Sequence, residues 1–290
     1  MTLEERLWKT FNKALGQYQL IDEGDRILVG LSGGKDSLCL LEFLARRSRV
    51  HVPRFTVEAL HVRMEIASPD GTRSAANIHY ETDTSYLQSF CDRLGVPFHL
   101  ITTSFSPTSL QTDAPPSPSP HPQSQPSPPP PPQSQPSPHT DAEATVPVGS
   151  PTGNKPPCFL CSWQRRKQLF NLAQQLGCTK IALGHHQDDL IHTALMNLTF
   201  HGHFSTMPAK LKMRKMPLTI IRPLCLCREE DIRVFAEHQG YEKQLKLCPY
   251  ERTTHRTTAA QLFDQLEHVS PEARYNIFHA LETAGKLTEY

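Results

Sequence analysis

Short apolar runs and leucine-rich stripes of period 3.6 take turns along this chain. The run at 27–31 gives way at once to a stripe through Leu38, Leu41 and Leu44, which predicts a strand and then a helix over 37–47. The same reading predicts a strand at 56–62, a helix at 84–94 stopped by Gly95, and a strand at 98–102. Further on come a helix at 164–176 stopped by Gly177, a strand at 180–183 and a helix at 188–200. A strand at 218–222, a helix at 231–239 ending before Gly240 and a strand at 241–247 complete the alternation. Residues 3–15 read as a lead helix, and 259–290 as one or two closing helices. Strands with helices between them form βαβ units, so the expected class is α/β, a doubly wound and mostly parallel sheet of Rossmann-like kind. Such sheets bind ligands beyond the carboxyl ends of their strands.

One stretch breaks the pattern. Residues 106–157 hold most of the 26 prolines, and PQSQPSP occurs at 122–128 and again at 132–138. With almost no large apolar side chains the stretch buries too little surface to offset its ordering entropy, so it is expected to be a disordered, partly polyproline II insert. It reads as a lengthened surface loop, with an SH3-type ligand as the other reading. The expected division is a lead helix at 1–23, one domain made of 24–105 and 158–258, the insert at 106–157, and closing helices at 259–290.

Composition narrows the classes. The 290 residues carry 30 basic and 29 acidic side chains, so any nucleic-acid surface must come from local clusters. The N-terminus carries acidic residues and no signal-peptide apolar core, and no apolar segment approaches the ~20 residues that span a bilayer. Eight cysteines without a secretory signal point to thiols in a reducing compartment, and a cytoplasmic, membrane-free protein is expected.

Between the first strand and its helix lies Ser32-Gly33-Gly34-Lys35-Asp36-Ser37. A glycine-rich turn entering a helix offers backbone N–H groups and the positive end of the helix dipole to an anion. Gly33 and Gly34 let phosphate come close, Ser32 and Ser37 offer hydroxyls, Lys35 a charge, and Asp36 an oxygen for a bridging divalent cation. The spacing is not that of a Walker A loop. Ordinary helix capping by Ser32 and Asp36 is the competing account. The second half repeats the theme: the strand at 180–183 runs into Gly184, His185, His186, Asp188 and Asp189, which suits a nucleotide or its magnesium. Asp188 could also be a simple cap. His61 ends the apolar strand Ala59-Leu60-His61.

Cys158-Phe-Leu-Cys161 is a CxxC opening a helix, compatible with a zinc half-site, a redox pair or a cluster half-site. Cys39, Cys91, Cys178, Cys225 and Cys227 lie in apolar settings and read as core. Cys248 ends the last predicted strand, before a proline. Three cysteines leave a tetrahedral zinc site incomplete, whereas an iron–sulfur cluster on three thiolates keeps one iron open.

SGGKDS at Ser32 resembles the PP-loop of the N-type ATP pyrophosphatases, with their adenine nucleotide alpha hydrolase-like fold. Gly184 to Asp189 is similar to the Gly-His-His-x-x-Asp segment of the branch that modifies tRNA. The resemblance implies that the loop cradles the β- and γ-phosphates of ATP, which leave together, and that His61, Gly184 and His185 belong to the nucleotide site. PPCFLCSWQRRKQLF resembles the CxxC stretch of the tRNA 2-thiocytidine synthetases, and RPLCLCREEDI a second segment of the same enzymes. That match implies a [4Fe–4S] cluster on Cys158, Cys161 and Cys248, with Leu245 standing where family members carry a further cysteine. Lys35, Asp36 and Asp189 are the implied catalytic residues. ATP, Mg2+ and the cluster are the implied cofactors. A tRNA, a cysteine desulfurase or other sulfur donor, and a second copy of the chain are the implied partners.

Arg165, Arg166 and Lys167, and the group Lys210, Lys212, Arg214 and Lys215, are either solvated charge or sequence-blind phosphate contacts; the resemblance favours RNA. The rival readings are a lysidine-synthetase-like ligase, which needs no thiols, a cluster-free persulfide carrier, and a non-catalytic zinc module with a proline-rich arm.

Overall fold

A computed structural model describes residues 1–66, 84–105, 157–242 and 255–289. Apart from Pro157, the proline-rich insert lies outside the described residues, as do Cys248 and all but two residues of the strand expected at 241–247.

The lead helix α1 (Leu3–Gln17) is started by a capping box in which Thr2 and Glu5 exchange backbone and side-chain bonds. Then follow β1 (Asp25–Gly30), α2 (Lys35–Ser48), β2 (Phe55–Ile66), α3 (Thr84–Leu94) and β3 (Phe98–Phe105). After the insert come α4 (Pro157–Gln175), β4 (Lys180–Ala182), α5 (Gln187–His201), β5 (Lys210–Lys212), β6 (Thr219–Ile221) and α6 (Glu229–His238). The chain closes with α7 (His255–Val269), α8 (Ala273–Thr283) and β7 (Thr288–Glu289).

The strands form one sheet in the order β3-β2-β1-β4-β6-β5-β7. β3, β2, β1, β4 and β6 are mutually parallel; β5 runs antiparallel to β6, and β7 parallel to β5. This is the expected mostly parallel sheet with two corrections. The segment around Lys210, read as a basic interruption, is strand β5, and β2 continues past Val62 to Ile66. A three-residue strand with Leu211 as its one apolar side chain gives no readable alternation.

Strand residues alternate between two layers. Ile27, Val29, Val57 and Ala59 face a core shared with α1, α2, α3, α5 and α6, in which Phe43 packs edge-on against Phe11 and Phe235 with ring centroids 5.3 and 5.2 Å away. Leu28, Leu60, Ile181 and Ile220 face α4, through Phe170, Leu172 and Ala173. Cys39, Cys91, Cys178, Cys225 and Cys227 are buried, as expected. Burial pushes the Cys91 and Cys225 thiols up to about 12, and Cys178 to about 11, so these are packing groups.

Candidate active site

From β1 the chain adds β2 and β3 on one side, then returns to place β4 on the other side of β1. The carboxyl ends of β1 and β4 are therefore the switch point of the sheet, where departing loops open a crevice. Loop 31–37 leaves β1 there. Gly33 has φ +82°, a left-handed conformation that strains any residue with a Cβ. Gly34 starts α2 with no side chain capping it. The serines fold the loop on itself. Ser37 Oγ donates to the Gly34 carbonyl at 2.9 Å and accepts from the Ser32 N–H at 3.1 Å, while the Gly34 N–H donates to Ser32 Oγ at 3.3 Å. Ser37 is buried, so its hydroxyl shapes the loop.

Gly184 leaves β4 against this loop. A Cβ built on it would meet the Asp36 carbonyl carbon and the Ser37 nitrogen at 3.1 Å, and both are backbone atoms that cannot swing aside. His186 and Asp189 follow at the start of α5. The buried His186 imidazole has Nε2 3.9 Å from Asp36 Oδ1 and 3.6 Å from Asp189 Oδ2, and Nδ1 3.6 Å from Asp188 Oδ2. Burial opposes its charge, but Asp188, Asp189 and Asp36 together outweigh burial and hold it above the ordinary histidine value. His185 goes the other way: burial and the neighbouring Arg222 push it down to about 3, and its Nδ1 accepts from Arg222 Nε at 3.2 Å.

Four partners of these residues were invisible in the sequence. Lys35 Nζ donates to Glu229 Oε1 at 2.8 Å and to Asp36 Oδ2 at 3.3 Å, with Asp36 Oδ1 3.1 Å away. Asp188 accepts from the Glu229 backbone N–H at 2.7 Å and from Arg274 at 2.6 Å. It joins α5 to α6 and α8, where simple capping would have kept it on the first turn of its own helix. Arg256 of α7 pairs with Asp189, and Arg222 holds His185. Gln187 N–H also donates to the Cys227 carbonyl at 2.9 Å. The first turns of α2, α5 and α6 thus meet at the crevice, and their dipoles favour an anion there.

Among the described residues, no three His, Cys, Asp or Glu side chains are arranged to hold a metal ion. Asp36 Oδ1 is nevertheless buried with no hydrogen bond, an oxygen that fits a divalent cation drawing its other ligands from phosphates.

His61 is buried on the other side of the loop, its Nδ1 2.8 Å from the Leu31 carbonyl. Since a carbonyl only accepts, Nδ1 carries the proton and Nε2 is an acceptor. Burial, then Arg165 and Arg63, hold His61 below its ordinary value against the pull of that carbonyl. Arg165 brings in α4, which starts at Pro157, earlier than the sequence suggested, because proline suits a first helical turn. Cys158 and Cys161 thus share one face of that helix; Cys158 is exposed, and Cys161 is buried against Met64 of β2. The CxxC lies toward the carboxyl end of β2, and Arg165, Arg166 and Lys167 follow it, all exposed. The basic group after β5 is not brought to the crevice. Lys212 pairs with Thr219, the first residue of β6, so the 213–218 turn lies at the opposite end of the sheet.

No family model matches the chain. The chain is 31% identical over 281 residues to a tRNA-cytidine(32) 2-sulfurtransferase of Anaeromyxobacter dehalogenans, covering 96% of this chain and 79% of that protein. It is 29% identical to the protein of the same name from Pseudomonas syringae pv. tomato, covering 97% and 84%. Among solved structures, the U34-tRNA thiolase NcsA from Methanococcus maripaludis, solved with its [4Fe-4S] cluster, has a TM-score of 0.63 at 21% identity, over 99% of this chain and 80% of that one. That likeness is one of fold.

Proposed function

We propose a reaction for this chain from the premise that it belongs to the tRNA-cytidine(32) 2-sulfurtransferase family. It is an ATP-dependent tRNA thiolase of the PP-loop kind. ATP lies in the crevice between β1 and β4, its phosphates on loop 32–37 and the first turn of α2. Gly184 keeps the far wall low enough for the loop to approach it. His61 lines the adenine side, offering Nε2 as an acceptor, and His185, across the loop, is held neutral by burial and by Arg222.

The target is a cytidine of the anticodon loop, an unpaired region from which a base can be unstacked. Its carbonyl oxygen attacks the α-phosphorus, the bond to the β-phosphate bridging oxygen breaks, and pyrophosphate leaves. Lys35 faces the negative charge that develops on the phosphates, a preorganised stabilisation. Asp36 and Asp189 would hold magnesium, which neutralises the departing pyrophosphate. A sulfur nucleophile then bonds to the activated carbon, the carbon–oxygen bond breaks and AMP departs, leaving sulfur in place of oxygen.

Cys158, Cys161 and Cys248 would hold a [4Fe–4S] cluster, which supplies an open iron for sulfur. An exposed Cys158 and a Cys161 on one helix face suit two of those positions. The sulfur comes from a cysteine desulfurase or another donor, a second copy of the chain completes the assembly, and the enzyme works in the cytoplasm.

The observation that carries this reading is the meeting of Lys35, Asp36, Gly184, His186 and Asp189 at the switch point, with the CxxC helix acting electrostatically on His61. The test is an anaerobic reaction of protein, tRNA, ATP, magnesium and sulfide, followed by nucleoside mass spectrometry and quantification of AMP. One AMP per thiocytidine, lost in Lys35→Ala, is expected. AMP release without sulfur incorporation, or thiolation that ignores ATP, would sink the proposal.

A further inference from the structure

The near-zero net charge hides a segregation along the chain. Between Ala144 and Arg228 the sequence has eleven Lys and Arg residues, and Asp188 and Asp189 are its only carboxylates. Some of these cations are spent inside the fold. Lys180 is buried against Asp22 and Asp25, Arg222 holds His185, and Lys210 Nζ donates to the Gln19 carbonyl at 2.6 Å. Arg165, Arg166 and Lys167 on α4, and Lys212, Arg214 and Lys215 on the β5–β6 hairpin, are exposed.

Those two groups are neighbours through a shared core. Leu211, Met213 and Leu218 of the hairpin pack in one cluster with Phe170, Leu172 and Ala173 of α4, on the sheet face opposite the larger core. Arg214 and Lys215 lie in the turn that follows β5, and Lys212, the last residue of β5, lies on the reverse side of that strand from Leu211. Neither α4 nor the 210–218 hairpin contains an acidic residue. Glu58, on the same side of β2 as Leu60, is buried and paired with Arg26 and His99, so it does not cancel the field. α4 begins at the crevice end of the sheet and its 19 residues run toward the hairpin end, a distance of roughly 28 Å at 1.5 Å per residue.

We infer that α4 and the β5–β6 hairpin form one cationic surface for the sugar-phosphate backbone of the tRNA, with Arg165, Arg166 and Lys167 gripping nucleotides beside the reacting base and the hairpin gripping phosphates farther along the stem. This rests on the thiolase reading and deepens it: substrate affinity is spread away from the chemistry. Point charges that contact phosphates fix position along the backbone and read no bases. The hairpin therefore contributes affinity and salt dependence, and the crevice contributes the choice of base.

The test compares the wild-type full chain with Lys212→Ser/Arg214→Ser/Lys215→Ser and with Lys212→Arg/Lys215→Arg. Each is titrated with tRNA at several salt concentrations and assayed for thiolation. The serine variant should bind tRNA at least tenfold more weakly, with a log–log salt slope shallower by about two, given roughly 0.7–0.9 per phosphate contact. It should raise KM for tRNA while leaving kcat at saturating tRNA and the affinity for ATP unchanged. Unchanged ATP affinity also shows the variant folded, and the arginine variant should match the wild type. A serine variant that binds tRNA as the wild type does overturns the surface and leaves the thiolase reading standing. A wild type that binds vesicles of anionic phospholipid and no tRNA overturns both.

Discussion

Lys35 of the phosphate loop and Glu229, the first residue of α6, lie 2.8 Å apart across 194 residues of sequence. Both are partly exposed, so the pair contributes about 1 kcal/mol or less to stability. Burial works against the Lys35 charge, but Glu229 and Asp36 prevail and hold it above the ordinary lysine value, so the ammonium stays charged. Lys35→Ala should therefore leave the denaturation midpoint nearly unchanged and lower AMP formation by about 100-fold or more, the scale of a lost transition-state contact. Glu229→Gln should cost far less activity, since it removes only the orienting partner. Equal losses in the two variants would show that Lys35 acts through the pair and not on the phosphates.

Gly184→Ala tests the contact between the two halves of the crevice. Its Cβ would stand 3.1 Å from backbone atoms of Asp36 and Ser37. Overpacking against backbone costs about 1–3 kcal/mol. The strain falls on the phosphate loop, so ATP affinity should drop along with the urea midpoint. Wild-type ATP affinity in that variant would mean the loop has room to retreat.

Asp188 should behave as a strut. His186, the Glu229 N–H and Arg274 together outweigh burial and hold its carboxyl well below the usual carboxylate range. A carboxylate with a lowered folded pKa stabilises fully above its unfolded value of about 3.9 and loses that contribution as pH falls below it. Arg274→Met leaves a nearly buried charge without its partner and should cost about 3 kcal/mol at pH 7. Asp188→Asn should flatten the fall in stability between pH 5 and pH 3, followed by circular dichroism in urea. An acid limb identical to the wild type would assign that fall to other groups.

Metal content separates the cysteine readings. Anaerobically purified protein should hold about four irons with matching acid-labile sulfide, and Cys161→Ala or Cys248→Ala should lose them. A chelator that strips the iron should abolish thiolation while AMP formation on tRNA continues. Zinc in place of iron, or full thiolation after stripping, would contradict the cluster.

The phosphate loop was legible because it is local. Gly33, Gly34 and Lys35 need only a strand behind them and a helix ahead, and both were plain in the apolar pattern. The same holds for Gly184 to Asp189. The pairings that finish the site were not legible. Arg274 reaches Asp188 across 86 residues, and Arg256 reaches Asp189 across 67, distances over which only the assembled sheet decides who meets whom. The early start of α4 was signalled by Pro157 but masked by the adjoining proline-rich composition. β5 gave too few apolar positions for any period to show.

Tyr241 and Arg256 have one more consequence. The Tyr241 hydroxyl donates to Glu42 of α2 at 2.7 Å, and Arg256 is bound to Asp189 of α5. The chain after α6 and the first turn of α7 are thereby tied to α2 and α5, the two helices whose first turns wall the crevice. Tyr241→Phe or Arg256→Ala would slacken those walls while leaving every residue of loop 32–37 in place.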